Sequence, residues 1–172
     1  MIAGAVVIVA VGTVLAITLS LSSSGPSPDG PFGPSGPTTE TNCFQIPGQV
    51  ITYGFEFVKN DGSSDATIQR VSYVNPRNLQ VLQTFTDPVH NNDLYAGQLG
   101  YPPQWMLRQR TSVIRPGHEY EVVIVTQLTG QQGHADAVLV NYTENGTQFV
   151  LRTITALDVK HRPLRCDFGQ SP

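Results

Sequence analysis

Short apolar runs separated by turn residues dominate the chain from residue 43 to residue 168. In Val50–Lys59 the rings of Tyr53, Phe55 and Phe57 recur at every second position, so they share one face of an extended strand. Glu119–Leu128 is apolar on both faces at its centre, which is typical of a strand inside a sheet. The same reasoning predicts strands over Ala66–Val74, Leu79–Thr86, Trp105–Ile114, Asp136–Thr143 and Thr147–Leu157.

Turn residues between these runs indicate how the strands connect. Asn60-Asp61-Gly62 ends the first strand, and Asn145-Gly146 separates the last two. An Asn-Gly pair between alternating runs predicts a hairpin, because both central residues of a type I′ turn have positive φ. The body shows no stretch with helical periodicity. The sequence therefore predicts an all-β fold, an Ig-like antiparallel β-sandwich over residues 43–168, followed by a tail at 169–172.

The first 21 residues are apolar and carry no charged side chain. About 20 such residues form a helix long enough to cross a bilayer, so residues 1–21 are predicted to be a transmembrane helix that contacts lipid through residues 2–21. The alternative is a signal segment cleaved near Ser22–Ser24, which would release a secreted protein. The first basic residue is Lys59, so the body is predicted to be extracytoplasmic on a single-pass protein of the cell membrane.

Residues 22–42 contain five prolines and four glycines and few aliphatic residues. Such a composition does not build a core, so this segment is predicted to be a disordered, extended Pro/Gly linker. At about 3.1 Å per residue it would hold the body up to roughly 60 Å from the bilayer.

Two cysteines bracket the predicted sandwich, Cys43 near its start and Cys166 near its end. Outside the cytoplasm they are expected to form a disulfide, which on the chain-entropy account would stabilise the fold by about 4–5 kcal/mol. The alternative is two free, buried thiols.

Several of these segments together resemble a group of bacterial proteins. The order is FEFVKNDGSSDATIQRV, then Tyr101-Pro102-Pro103, then Ile114-Arg115-Pro116-Gly117, then the Asn145-Gly146 hairpin and the late Cys166. It resembles largely uncharacterised, exported or membrane-anchored Ig-like β-sandwich proteins of high-GC Gram-positive bacteria. The resemblance covers residues 43–166 and implies a cell-envelope setting. It supplies no activity, cofactor or catalytic residue.

The net charge and the absence of catalytic motifs reduce the number of function classes that fit the sequence. The net charge of −3 lacks the basic excess of a nucleic-acid-binding protein, so no nucleic-acid partner is expected. The sequence contains no Gly-x-Ser-x-Gly elbow, no phosphate-binding Gly-rich loop with Lys, and no His-Glu-x-x-His motif. The chain is therefore predicted not to be an enzyme and to use no cofactor.

The long connection from Pro88 to Gln104 and the residue after it carry the candidate binding patch. Exposed aromatic rings and prolines offer a large contact area to a peptide or glycan. The alternative is that the same residues fold over an open end of the sandwich and cap its core. The patch comprises Tyr95, Tyr101, Pro102, Pro103 and Trp105.

A weak metal candidate precedes this patch. Asp87, His90 and Asp93 place two carboxylates and an imidazole in one loop, where oxygen ligands suit Ca²⁺ and the imidazole suits Zn²⁺. The spacing matches no EF-hand, and Asp is common in loops, so no metal site is assigned.

The sequence thus predicts a membrane-tethered extracytoplasmic binding or scaffolding module without catalytic activity. Its expected partner is an envelope protein or polymer of unknown identity. The alternative function is a small-ligand or metal-binding sensor domain of the cell envelope.

Overall fold

The computed structural model describes residues 30–35, 41–88, 98–104, 107, 111–153 and 155–166. Within these ranges the chain forms twelve strands. They are β1 Phe32–Ser35, β2 Thr41–Ile46, β3 Val50–Asn60, β4 Ala66–Val74, β5 Leu79–Pro88, β6 Gln98–Leu99, β7 Val113–Ile114, β8 Glu119–Leu128, β9 Gln132–Ala135, β10 Ala137–Glu144, β11 Thr147–Arg152 and β12 Ala156–His161. The prediction of an all-β fold is confirmed for the described residues.

Two antiparallel sheets form the main body. One has the order β1-β3-β8-β5, with β6 beside β3, and the other has the order β11-β10-β4-β7. Val122 and Ile124 of β8 lie in the main core together with Val138 and Val140 of β10, and all four are buried. The sheets therefore pack against each other as a β-sandwich-like body.

The residues of β8 that point away from the main core are also buried, which explains why this strand is apolar on both faces. Val123 and Val125 point away from the main core and form a second, smaller cluster with Phe85. Leu107, from the connection between β6 and β7, packs against this cluster. The outer side of the five-stranded sheet is thus covered, in part, by the chain that follows β6.

A buried hydroxyl network lies in the core between the two sheets. The hydroxyl of Tyr53 on β3 and that of Tyr73 on β4 are 2.9 Å apart. The Tyr73 hydroxyl also contacts Oγ1 of Thr126 on β8. All three side chains are buried, so these bonds satisfy polar groups that would otherwise be costly to remove from water.

A third sheet joins the beginning and the end of the domain, with the order β2-β12-β9. Here β2 runs parallel to β12, whereas β9 is antiparallel to it. The predicted disulfide between Cys43 and Cys166 is confirmed, with a Cα–Cα distance of 5.8 Å. Cys43 lies within β2, so the bridge fastens the segment after β12 to that strand.

The Asn145-Gly146 hairpin is also confirmed. Asn145 has φ of 48° and Gly146 has φ of 77°, as a two-residue turn with both central residues left-handed requires. The turn joins β10 to β11, with Glu144 paired with Thr147.

Two strand predictions were wrong in part. The run predicted as one strand from Thr147 to Leu157 is divided into β11 and β12, which belong to different sheets. Thr153 lies at the break, where its backbone N–H donates to the Val138 carbonyl and its hydroxyl accepts from the Val138 N–H. Side-chain bonding to the backbone at this position ends the pairing of β11.

The run predicted as a strand from Trp105 to Ile114 contains only the two-residue strand β7 among its described residues. Gln104 and Leu107 have helical backbone, and the Leu107 N–H donates to the Pro103 carbonyl at 3.4 Å. At Leu107, an i to i−4 bond is therefore present where the prediction placed an extended strand.

The linker prediction was wrong for residues 32–35. These residues form β1, which pairs with the end of β3, and Phe32 is buried. Its ring stacks on Tyr142 at 3.8 Å, and its N–H donates to the Tyr142 hydroxyl at 3.1 Å. A side chain at Gly30 would overlap the same hydroxyl, so glycine permits the chain to approach here.

The predicted transmembrane helix at residues 1–21 lies outside the described residues. In the part of the chain that the structure does describe, no helix has the length and apolar character to span a bilayer.

Candidate functional site

The two main sheets come together along one open side of the body, at the edges formed by β4 and β5. Residues 111–114, which we call the strap, connect these edges. Thr111 exchanges backbone hydrogen bonds with Thr86 of β5 at 3.2 and 3.3 Å, and the Ser112 carbonyl accepts from the Ile68 N–H of β4 at 2.8 Å. The last two strap residues form β7, which pairs with Ala66 and Thr67.

The strap covers only part of each edge. β7 reaches no further along β4 than Thr67, and the Ser112 bond adds only Ile68. Among the described residues, no strand lies beside Gln69–Val74 on the side away from β10. The free side of β5 likewise has no strand partner in the described ranges beyond its bridge at Thr86. Within the described ranges, each of the two sheets is therefore bordered by the strap along only part of this side.

A cleft of about 370 Å³ opens between these two edges. We call it the edge cleft. Its apolar lining residues are Ile68, Val71, Phe85 and Val122. Its polar lining residues are Gln69, Arg70, Thr84, Thr86, Thr111 and Ser112. A concave site that combines an apolar base with a few polar groups is the usual form of a ligand site.

Each edge of the cleft carries a β-bulge. In β4 the register with β10 shifts around Gln69, and in β5 the register with β8 shifts around Leu82. Because of the first shift, Ile68 and Val71 both face the core although they are three positions apart. Bulges turn side chains to new directions and are common beside functional sites.

Arg70 is the cationic residue of the edge cleft. Its side chain is exposed, and it makes no ion pair with a carboxylate among the described residues. No Asp or Glu lies among the described residues that line the cleft. Within the described part of the chain, no carboxylate therefore lies beside Arg70 to neutralise its positive charge.

The hydroxyl groups of the cleft have no general base beside them in the described lining, since it contains neither histidine nor carboxylate. Thr86 is also occupied, because its hydroxyl donates to the Thr111 carbonyl. What the arrangement offers is hydrogen bonding, apolar contact and one positive charge, which are means of binding.

A second depression of about 350 Å³ lies on the outer side of the four-stranded sheet. It shares Gln69 and Arg70 with the edge cleft. Its other lining residues are Ser72, Asn141, Tyr142, Thr143, Gln148 and Phe149. Arg70 thus stands between two concave surfaces.

The predicted aromatic patch is only partly within the described residues, since Tyr95 and Trp105 lie outside them. Tyr101 is 62% exposed, at the turn that follows β6. Pro102 is buried and Pro103 is half-buried. The described part of the patch is therefore divided between a surface ring and residues packed into the body.

The weak metal candidate is not assembled within the described residues. His90 and Asp93 lie outside them, and Asp87 is a half-buried residue of β5. Asp87 lies opposite Glu121 of β8, whose side chain is buried. Among the described residues no group of three or more His, Cys, Asp or Glu side chains is placed to hold a metal ion.

The structure also brings together a charged cluster that the sequence did not predict. His134 on β9 lies between two carboxylates, with Nδ1 at 2.7 Å from Asp158 Oδ1 and Nε2 at 2.9 Å from Asp136 Oδ1. The bond to Asp158, supported by that to Asp136, raises the pKa of His134 against the opposing effect of partial burial. The Nδ2 amide of Asn75, 2.7 Å from Asp136 Oδ2, lowers the pKa of Asp136, and His134 adds to this.

The sequence does contain a trace of the edge cleft. Gln69 and Arg70 interrupt the alternation of β4, and such a break in a period of two marks a bulge. Thr84 and Thr111 line the same cleft as Arg70 but lie 14 and 41 positions away from it in sequence, so only the packing of the sheets brings these residues together.

Compared with known proteins, the chain matches no protein-family model and no curated protein. A solved structure similar to it is the VesB protease of Vibrio cholerae, with 9% identity and a TM-score of 0.40 over 76% of this chain. The chain spans 32% of the length of that protease. Another is PapD-like domain 7 of human CEP192, with 10% identity and a TM-score of 0.42, covering 88% of this chain and 99% of that domain. Similarities of this degree indicate no function for this chain.

Proposed function

We propose that this protein is a non-catalytic binding module of the cell envelope, anchored in the membrane by residues 2–21 and binding its partner in the edge cleft. The observation that carries the proposal is the cleft itself, because it combines an apolar base with polar groups and with Arg70, which has no ion pair among the described residues. The partner is an envelope protein or polymer with an anionic group.

The Cys43–Cys166 disulfide supports an extracytoplasmic location, since such bonds persist in oxidising compartments. The uncharged, apolar run of residues 1–21 supports the anchor. A tethered domain needs no catalytic group to act as a scaffold, and the described lining of the cleft provides means of binding only.

The anchor and the location are tested together in intact cells that express the full chain. A membrane-impermeant amine reagent is expected to label Lys59 and Lys160, and the protein is expected to stay with the membrane in alkaline carbonate at its full mass. Labelling only after lysis would contradict an extracytoplasmic body. A mass reduced by the segment before Ser22–Ser24 would show cleavage instead of anchoring.

The binding role is tested with a photo-crosslinking residue placed at Thr84, inside the edge cleft, in the membrane-anchored chain. The matched control carries the same residue at Thr147, which is exposed on β11 and outside both depressions. We expect a discrete envelope component to be captured from Thr84 and not from Thr147, and Arg70→Glu to abolish the capture. Equal capture from both positions would refute a specific site.

The alternative proposal is a sensor domain for a small ligand or a metal ion, built around Asp87. The observation that favours it is the pairing of Asp87 with the buried Glu121 on the next strand, since two neighbouring carboxylates attract a cation. Calorimetric titration of the full chain with Ca²⁺, Zn²⁺ and Cu²⁺ is expected to give saturable heat that Asp87→Asn removes. Flat titrations with all three ions would rule out the metal-ion form of this alternative.

A further inference from the structure

The second depression lies on the outer side of the four-stranded sheet, and we call it the outer depression. Three adjacent strands of that sheet, β4, β10 and β11, line it. Its volume of about 350 Å³ falls within the roughly 300–1,000 Å³ that is usual for ligand sites. Most of its described lining is polar, in contrast to the apolar base of the edge cleft. The polar lining residues are Gln69, Arg70, Ser72, Asn141, Thr143 and Gln148.

The bulge of β4 turns two consecutive polar residues to this side. In a regular strand, consecutive side chains point to opposite faces of the sheet. Here Ile68 packs against the main core and Val71 lies within it, whereas the two residues between them are exposed. The Gln69 amide donates to the Thr143 hydroxyl at 3.2 Å. The bulge thus places the amide of Gln69 and the guanidinium of Arg70 together on the outer face.

β10 and β11 extend this polar surface across the sheet. Asn141 lies opposite Arg70 of β4, and Thr143 lies opposite Gln148 of β11. Asn141 and Thr143 flank Tyr142, which is a core residue, so both of them point to the outer side. Three strands spaced about 4.8 Å apart give the surface a width of about 10 Å. Such a width accommodates a sugar ring.

The lining favours a ligand that is rich in hydroxyl groups. A side-chain amide supplies both donors and an acceptor, and a hydroxyl supplies one donor and accepts as well. The hydroxyls of a sugar have the same double character, so they match this lining. The rings of Tyr142 and Phe149, which also border the depression, stack on each other at 5.4 Å. Tyr142 is buried, so the described lining offers a ligand mainly polar contacts.

Arg70 adds the only charged group of the described lining. It is exposed and makes no ion pair among the described residues. A guanidinium binds a carboxylate through two parallel N–H···O bonds, which fix its orientation as well as its position. A single positive charge among amides and hydroxyls complements a sugar that carries one carboxylate.

From these features we propose that the outer depression binds an acidic sugar. The sugar hydroxyls bond with the amides of Gln69, Asn141 and Gln148, and the sugar carboxylate pairs with Arg70. This inference goes beyond the proposed function, because it assigns a ligand to a second surface. The two sites share Gln69 and Arg70. Gln148 lines the outer depression alone and Thr84 lines the edge cleft alone, so the two sites can be tested separately.

The ligand class is tested with the full chain in detergent micelles on an array of carboxylated sugars. The array carries oligomers of glucuronic acid and of galacturonic acid and N-acetylneuraminic acid, each beside its own carboxamide. We expect binding to one or more of the acids, and binding to the matching carboxamide weaker by about threefold or more. Polyglutamate on the same array should not bind, because it lacks the hydroxyls. Absence of binding to every acid would overturn the inference, and so would equal binding of polyglutamate.

The site is tested by ligand-observed NMR titration of the acid that binds and of its carboxamide. Arg70→Gln is expected to weaken binding of the acid about three- to tenfold and that of the carboxamide less. Gln148→Ala should weaken both by about the same factor, two- to fivefold, because it removes a neutral hydrogen bond. The control Arg152→Gln alters an exposed arginine of the same sheet outside the depression and should leave both unchanged. Normal binding in both Arg70→Gln and Gln148→Ala would overturn the inference.

The remaining outcomes separate this inference from the proposed function. Loss of sugar binding in Thr84→Ala, with normal binding in Gln148→Ala, would place the sugar in the edge cleft and overturn the inference alone. Capture by the crosslinker at Thr84 without any sugar binding would also refute the inference and leave the proposed function standing. Sugar binding without capture would do the reverse. If light scattering shows a dimer that Gln148→Ala disrupts, a second copy covers the depression, which overturns the inference.

Discussion

His134 joins three elements through its two ring nitrogens. Asp158 belongs to β12, Asp136 lies between β9 and β10, and Asn75 follows β4. The backbone of His134 also pairs with Arg77, whose charge opposes protonation of the ring. The doubly protonated imidazole donates to both carboxylates, so the cluster holds the small sheet against the end of the four-stranded sheet most firmly in that state.

This cluster makes stability depend on pH. Because the pKa of His134 is raised on folding, its contribution is complete below the unfolded value of 6.5 and is lost as pH rises through the folded value. The pKa of Asp136 is lowered, so its contribution is complete above 3.8 and is lost as pH falls through the folded value. The free energy of unfolding of the natural protein should therefore exceed that of the His134→Gln variant, and the difference should be largest between about pH 4 and 6.5.

Urea unfolding of both proteins from pH 4 to 9 measures this difference. It is expected to shrink steadily on the alkaline side. The control is His118→Gln, because His118 is exposed and has no carboxylate partner among the described residues. A difference for His134→Gln that did not vary with pH would contradict the assigned role of the charged ring.

Tyr73 carries the centre of the buried hydroxyl network. Removal of its hydroxyl in Tyr73→Phe takes a partner from Tyr53 and from Thr126, both buried. We expect the free energy of unfolding to fall by about 1–3 kcal/mol, the usual cost of a lost buried hydrogen bond. Tyr101→Phe removes the same atom from an exposed ring and should change stability by less than about 0.5 kcal/mol. Equal effects from the two variants would show that the network contributes nothing specific.

At the scale of elements, β1 is a four-residue strand inside a Pro/Gly-rich segment. The composition of that segment predicts a linker and not a strand. β1 adds an edge to β3, and the buried Phe32 ring lies on Tyr142, which in turn stacks with Phe149 at 5.4 Å. The edge strand therefore contacts residues of both main sheets.

Phe32→Ala tests whether β1 belongs to the folded body. Loss of a buried, stacked ring is expected to lower the free energy of unfolding by about 3–5 kcal/mol, as measured by denaturant unfolding. The matched control is Leu99→Ala, because Leu99 is 52% exposed on the short strand β6 and should cost little. If Phe32→Ala were as mild as Leu99→Ala, β1 would not be packed on the core.

At the scale of the whole molecule, one disulfide bond and one parallel strand pair join the beginning of the domain to its end. The disulfide joins residues separated by 123 positions, and β2 pairs in parallel with β12 beside it. The Gln45 amide donates to the Leu164 carbonyl at 2.6 Å, which adds a side-chain tie to the same segment. The start and end of the domain thus form one unit.

The double variant Cys43→Ala/Cys166→Ala should unfold with a free energy about 2–5 kcal/mol lower than that of the oxidised protein. The physical reason is that the unfolded chain gains freedom when so long a loop is opened. A reducing agent should bring the natural protein to the same value and leave the double variant unchanged. If reduction had no effect on the natural protein, the closure would not contribute to stability.

The sequence by itself determined the features that depend on neighbouring residues. The short apolar runs between turn residues gave the bounds of Ala66–Val74 and Glu119–Leu128, which are the bounds of β4 and β8. Asn145-Gly146 gave its hairpin because positive φ is a local property of those residues. The two cysteines allowed one pairing only, so the disulfide expected outside the cytoplasm had a single possible form, and the structure contains it.

Only the tertiary structure decided what depends on contacts between distant segments. Phe32 is buried because its ring stacks on that of Tyr142, 110 positions away, and its N–H donates to the Tyr142 hydroxyl. The sequence of the Pro/Gly-rich segment does not predict this contact. The edge cleft exists because β4 and β5 end their sheets side by side and the strap covers only part of them. Which strands pair, and which lie at the edge of a sheet, is set by the free energy of packing two whole sheets against each other. A local sequence pattern does not determine that free energy.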